Sequence, residues 1–387
     1  MSALRLESFG SRAVAEALTE RGYPPAQADA TAGGVRSVVV VLDAVAGPHR
    51  DLLLRETARR GIDCVTGPGW ALLAGGVSAL AGLARPDTSV LPPEVVASLA
   101  SALTEPTAEW RMARGTIVLD RPQIVGILNV TPDSFSDGGR YLDPAAALDH
   151  AEQLVAEGAD VLDVGAESTR PGRPTPVGFA EEWRRLEPVV TGLSVRLPHV
   201  PVTVDTVRAQ TARRALELGV WAINDVSGLR LDPAIASVCA EHGAGLVLMH
   251  SRGDISDMAT YDHARYGHVA SAVAGELRQA KQTAVERGVP DDGIVLDPGL
   301  GFAKRPEHNL ALLRDVGTVA GLGAPVMVGP SRKRFLGVVT GREVAARDQA
   351  TAAACVVAYL GGAALFRVHA VGPTRDALAV AHAVRSA

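Results

Sequence analysis

From about Thr116 onward the chain alternates two patterns. Short apolar runs, "IVGILNV", "ADVLDVG", "VPVTVDT", "VWAINDV", "AGLVLMH", "GIVLDPG", "APVMVGP" and "ALFRVH", are separated by longer stretches with helical periodicity. Runs rich in Val, Ile and Leu, without the in-and-out alternation of a half-exposed strand, suit parallel strands covered on both faces. Stretches such as "PAAALDHAEQLVAEG", "VRAQTARRALELG" and "VASAVAGELRQAKQTAVERG" read as helices, and their closing "AEG", "ELG" and "ERG" put glycine at a C-cap. Eight strand and helix pairs within about 270 residues predict an α/β chain folded as a (β/α)8 TIM barrel. The alternative, a doubly wound sheet, needs fewer strands.

Residues 1–105 differ. They are rich in Ala, Leu and Gly, with one strong strand pattern, "VRSVVVVLDAV", and helices around Val14 to Arg21, Arg50 to Arg60 and Glu94 to Thr104. This predicts a small N-terminal α/β domain, with the barrel in 106–387. Asp43, His49 and Cys64 stand there without partners at meaningful spacing, so the segment reads as a packing or oligomerisation module. "EWRMARGTIVLDRP" predicts a short hairpin that leads into the barrel and closes its bottom. Composition narrows the class: 38 Lys and Arg against 43 Asp and Glu give a net charge of -5, which offers no basic field for nucleic acid or an anionic membrane. Cys64, Cys239 and Cys355 are far apart and read as core thiols of a reducing cytosol. With no signal-peptide pattern at the start and no run of spanning length, the expectation is a cytoplasmic protein.

TIM barrels place their chemistry at the C-terminal strand ends. Here those ends carry Asn129, Asp163 with Glu167, Asp205, Asn224 with Asp225, His250, Asp297, Ser331 with Arg332 and Lys333, and Arg367 with His369. One such residue is commonly a turn former or cap; eight converging on one mouth cost desolvation unless a ligand uses them. Acceptors at Asp205 and Asp297 beside the planar donor and acceptor of Asn224 suit a flat heterocycle with an amino-amidine edge. A divalent metal between the two carboxylates is the competing reading, but such cages bring more carboxylates and no neighbouring lysine. Arg367 and His369, two apart on the last strand and followed by a helix start, predict an anion site. The loops "DSFSDGG" and "ESTRPGRPTPVG" read as lids, with order at Ser134 to Arg140 expected only when substrates bind.

The motifs "GILNVTPDSFSDGG", "GADVLDVGAESTRPG", "VDT", "INDVSG", "LDPGLGFAK", "GPSRKRFLG" and "FRVH" resemble, in order and spacing, those of dihydropteroate synthase, from about Thr116 to the C-terminus. The resemblance implies a TIM-barrel transferase of folate synthesis that joins (7,8-dihydropterin-6-yl)methyl diphosphate to 4-aminobenzoate, releasing diphosphate and 7,8-dihydropteroate. It implies Mg2+ as cofactor, with Asn129 on the metal and diphosphate, and a homodimer through barrel helices. By the same matching Asp205, Asn224, Asp297 and Lys333 hold the pterin, while Arg367, His369 and Thr169 serve the diphosphate. Arg170, Pro171, Phe302, Ser331 and Lys333 border the aminobenzoate pocket, where sulfonamides bind in this family. Asn129, Asp205, Lys333, Arg367 and His369 are the implied catalytic set. Ala370 and Ser251 depart from common family patterns, in which Asp and Met respectively are frequent at these places. A pterin-dependent corrinoid methyltransferase shares the heterocycle site but not both loop motifs with "SRK"; a catalytically silent pterin-binding paralogue would be expected to lose pocket residues.

Overall fold

A computed structural model describes residues 2–6, 37–85, 89–103, 109–130, 143–167 and 177–386. The helix expected around Val14 to Arg21 and the greater part of both glycine- and proline-rich loops lie outside these residues. The chain divides into two compact units, Met1–Pro106 and, apart from Ala320–Gly323, Thr107–Ala387.

In the first unit the strands β1 (Ser2–Leu6), β2 (Ser37–Val45), β3 (Asp63–Gly67) and β4 (Gly69–Gly76) form an antiparallel sheet in the order β1-β2-β4-β3. Helices α1 (Gly47–Arg59), α2 (Val77–Leu83) and α3 (Pro93–Leu103) accompany it. Val40, Leu42, Leu53, Leu73, Leu80, Val95 and Leu99 make its core. Only β2 was legible as a strand. "DCVTG" and "GWALLAGG" carry little β-propensity of their own; a glycine-proline-glycine turn, with Gly69 at φ +77°, folds them back so that β4 pairs with the valine run of β2.

The second unit begins with the expected hairpin, β5 (Glu109–Met112) and β6 (Gly115–Val118). Eight parallel strands follow: β7 (Gln123–Asn129), β8 (Val161–Gly165), β9 (Val202–Asp205), β10 (Ala222–Asp225), β11 (Gly245–Met249), β12 (Ile294–Asp297), β13 (Met327–Val328) and β14 (Leu365–Val368). Their order β12-β11-β10-β9-β8-β7-β14-β13 closes where the Leu296 N–H donates to the Pro325 carbonyl at 2.9 Å. This is the (β/α)8 barrel read from the sequence. Its helices include α4 (Pro144–Ala156), α5 (Phe179–Arg196), α6 (Ala209–Glu217), α7 (Ala234–His242), α8 (Val269–Glu286), α9 (Pro306–Arg314), α10 (Gly317–Ala320), α11 (Arg334–Thr340), α12 (Asp348–Leu360) and α13 (Val371–Ser386). Asp143 caps α4 by accepting from the Ala145 N–H at 3.0 Å. No described helix is long and apolar enough to cross a membrane.

The hairpin seals the lower end of the barrel. Trp110 and Met112 pack on Val125, Val161, Ala222, Val247, Val295, Met327 and Leu365, and the Trp110 indole N–H donates to the Gly293 carbonyl at 3.0 Å. Trimming an aromatic buried this fully costs about 3–5 kcal/mol.

Candidate functional site

Strand alternation decides which side chains enter the barrel. The lowest inward layer is the apolar one that meets the hairpin. Two residues further along each strand the inward position turns polar: Asp163 after Val161, Asn224 after Ala222, Asp297 after Val295 and Arg367 after Leu365. The sequence thus builds a greasy floor and an ionic ceiling from single strands.

Asp163, fully buried, is the centre of the ionic layer. One carboxylate oxygen accepts from the Thr203 hydroxyl at 2.5 Å, and the other from Arg367 Nε at 2.5 Å and Asn224 Nδ2 at 3.1 Å. Arg367 Nη2 also donates to Asp205 at 3.2 Å. Asn224 donates one amide hydrogen to Asp163, while its Oδ1 is buried with no partner, an acceptor awaiting a donor. Burial pushes the Asp205 carboxyl up, with Arg367 opposing, and burial likewise raises Asp297, with Lys333 opposing. Burial lowers the Lys333 ammonium to about 8, with Asp297 opposing. Lys333 donates to the Leu300 carbonyl and stands 4.4 Å over the Phe302 ring. At the end of β7, Asn129 Oδ1 and Asp205 Oδ2 both border Gly165, where a Cβ would lie 3.6 and 3.7 Å from them.

The remaining strand-end residues are engaged elsewhere, so the expectation that all converge on one mouth is corrected. Asp225 is consumed by its own loop, accepting from the Ser227 N–H at 2.8 Å, the Ser227 hydroxyl at 2.7 Å and the Leu229 N–H at 2.5 Å. His250 turns to Glu276, 3.1 Å away, and to Lys304. Arg332 pairs with Asp348 at 2.7 and 2.8 Å, and Glu167 with Arg208 at 2.8 Å. Arg367 and His369 keep separate partners: the partly buried guanidinium holds the carboxylates of Asp163 and Asp205, whereas the His369 ring meets Ser331. The Ser331 hydroxyl accepts from the His369 N–H at 3.1 Å and lies 2.9 Å from Nδ1, so we assign its hydrogen to Nδ1 and the ring proton to Nε2. Thr169, Arg170 and Pro171 lie outside the described residues. Ser251 donates to the Val226 carbonyl at 2.8 Å, a role that its hydroxyl alone supplies.

Spacing alone marks Asp163 as one polar strand end among eight and does not distinguish Lys304 within "LDPGLGFAK". A lone Asp inside the otherwise apolar "VLDVG" was the available signal, since an unpaired carboxylate there would be prohibitively costly.

A family model described as pterin binding enzyme matches residues 125–369. The dihydropteroate synthase of Mycobacterium leprae is 46% identical over 266 residues, 67% of this chain and 92% of that protein. A solved dihydropteroate synthase of Xanthomonas albilineans with 4-aminobenzoic acid is 40% identical, with a TM-score of 0.67, over 72% of this chain and 99% of that one. The Burkholderia cenocepacia enzyme complexed with 7,8-dihydropteroate is 37% identical, with a TM-score of 0.65, over 73% of this chain and 98% of that one. With a family match over most of the barrel and relatives covered almost end to end, the chain belongs to the dihydropteroate synthase family of pterin-binding enzymes.

Proposed function

We infer that the chain is a transferase of folate synthesis that condenses (7,8-dihydropterin-6-yl)methyl diphosphate with 4-aminobenzoate, through the residue roles that follow. The observation that carries these roles is the buried, unpartnered Asn224 Oδ1 among the acceptors Asp205 and Asp297. A pterin edge supplies the donors that this set lacks. Asp205, Asn224, Asp297 and Lys333 hold the heterocycle, and Phe302, Ser331 and Lys333 border the aminobenzoate, together with Arg170 and Pro171.

The C–O bond breaks first, and the diphosphate leaves with the electron pair. The positive charge left on the pterin methylene is favoured by the carboxylates of Asp205 and Asp297. Arg367 exchanges its bond to Asp205 for the departing diphosphate, helped by His369 and Thr169. The neutral arylamine then supplies the pair for the new C–N bond, and the proton it sheds passes to solvent; no strong base is required. The donors fit a divalent cation that arrives with its diphosphate: Asn129 offers one neutral oxygen beside the Asp205 carboxylate, the sparse protein ligation that Mg2+ accepts when phosphates complete its shell. Asn129 would hold Mg2+, which supplies counter-charge to the leaving group.

A homodimer acting in the cytosol completes the reading. Exposed Val338, Val339, Val357, Val380 and Val384 on α11, α12 and α13 support a covered face there, and three free cysteines support a reducing compartment. The decisive assay incubates the full chain with the dihydropterin diphosphate, 4-aminobenzoate and Mg2+ and measures dihydropteroate and diphosphate. Pterin binding without product would identify a silent paralogue instead.

A further inference from the structure

The run "LDPGLGFAKRPEHN" gives Asp297 and Phe302 to the site, yet two of its other polar residues are buried just as deeply. Lys304 is 1% exposed and Asn309 2% exposed. Lys304 Nζ lies 2.8 Å from His250 Nδ1, 2.9 Å from the Phe302 carbonyl, 3.1 Å from the Gly299 carbonyl and 3.4 Å from the His250 carbonyl. All four are acceptors, and the three nearest match the three N–H groups of an ammonium; a neutral amine has only two. Lys304 therefore sits where all three hydrogens of an ammonium find an acceptor; burial pulls its pKa well below the ordinary lysine value, and Asp297 opposes that pull. With Nδ1 accepting, His250 carries its proton on Nε2 and donates it to Glu276.

Asn309 completes the support. Its Oδ1 accepts from the Gly301 N–H at 2.6 Å, and its Nδ2 donates to the carbonyls of Lys304 and Arg305 at 3.2 and 2.7 Å. These bonds replace the ladder that such a backbone cannot form, because Gly299, Gly301 and Ala303 have φ of +67°, +82° and +47°. Phe302 is carried on this loop, with its ring under Lys333.

We infer that Lys304 and Asn309 are positioning residues: from beneath, they fix the 299–305 loop so that Phe302 and Lys333 meet at the aminobenzoate end of the site. This rests on the reading above that Phe302 and Lys333 border that substrate. Steady-state kinetics of the full chain test it with Lys304→Met, which keeps the bulk and removes the donors, with Asn309→Ala, and with Phe302→Ala as reference. The KM for 4-aminobenzoate rises about tenfold in Lys304→Met, the cost of orphaned buried carbonyls, and moves in the same direction in Asn309→Ala. The KM for the dihydropterin diphosphate and kcat stay within about twofold. Unchanged KM values with only a lower melting temperature would assign a purely structural role, and equal rises for both substrates would remove the aminobenzoate assignment. An unchanged aminobenzoate KM in Phe302→Ala would overturn the reading of Phe302 itself, independently of Lys304. Should Lys304→Met fail to fold, Asn309→Ala decides between the same outcomes.

Discussion

Asp163→Asn is the most informative single change, because it keeps the shape of the side chain and removes its charge. The asparagine oxygen can still accept from Thr203, but its amide hydrogens then face Arg367 Nε and Asn224 Nδ2, donors against donors. A hydrogen bond to a charged group contributes about 1.5–3 kcal/mol, and two are lost. They do not add fully, since Arg367 keeps Asp205. Breaking one partner out of a buried pair costs about 3–5 kcal/mol in other proteins, and about 4 kcal/mol is the expectation here. Urea unfolding followed by tryptophan fluorescence measures it, because Trp110, Trp183 and Trp221 lie in the barrel unit and only Trp70 in the other. Asn224, no longer tethered, presents Oδ1 less well, so the affinity for a pterin without diphosphate drops about tenfold in calorimetry. A loss under about 1 kcal/mol with unchanged pterin affinity would show that Asp163 does not anchor the ionic layer.

Three further outcomes are expected. Asn129→Ala weakens Mg2+-dependent binding of the diphosphate substrate and spares a pterin lacking the diphosphate; equal loss of both in calorimetry would contradict the role of Asn129. His250 is held down to about 4 from the ordinary 6.5, by burial first and then by Lys304, so the unfolded chain takes up this proton at higher pH than the folded one. The wild type therefore loses up to about 3 kcal/mol as pH falls from 6.5 to 4. His250→Asn, which keeps an acceptor for Lys304, lacks this contribution; parallel stability curves for the two proteins would refute it. Gly299→Ala places a Cβ 1.9 Å from the His250 carbonyl oxygen at φ +67°, and costs at least about 3 kcal/mol. Gly267→Ala, with nothing within 4 Å and no left-handed φ, is the neutral control in thermal unfolding.

The barrel was legible because its strands are largely apolar on both faces below their polar C-terminal ends and some helices start or stop on recognisable residues, as Asp143 and Gly243 illustrate. The small sheet was not, because β3 and β4 exist through pairing with β2 and have weak preferences of their own. At the site, spacing told which end of a strand a residue occupies but not which neighbour its side chain selects. Asp225, His250 and Arg332 looked like equals of Asp205 and Asn224. Their partners Ser227, Glu276 and Asp348 take them away, and those contacts depend on loop conformation. Lys304 was overlooked for the converse reason: lysine is a surface residue by default, and only four convergent acceptors explain one in the interior.

The hairpin under the barrel also governs traffic. With Trp110 and Met112 plugging the lower end, the described residues offer no way to the ionic layer from beneath. Whatever binds that layer comes and goes past the C-terminal ends of the strands.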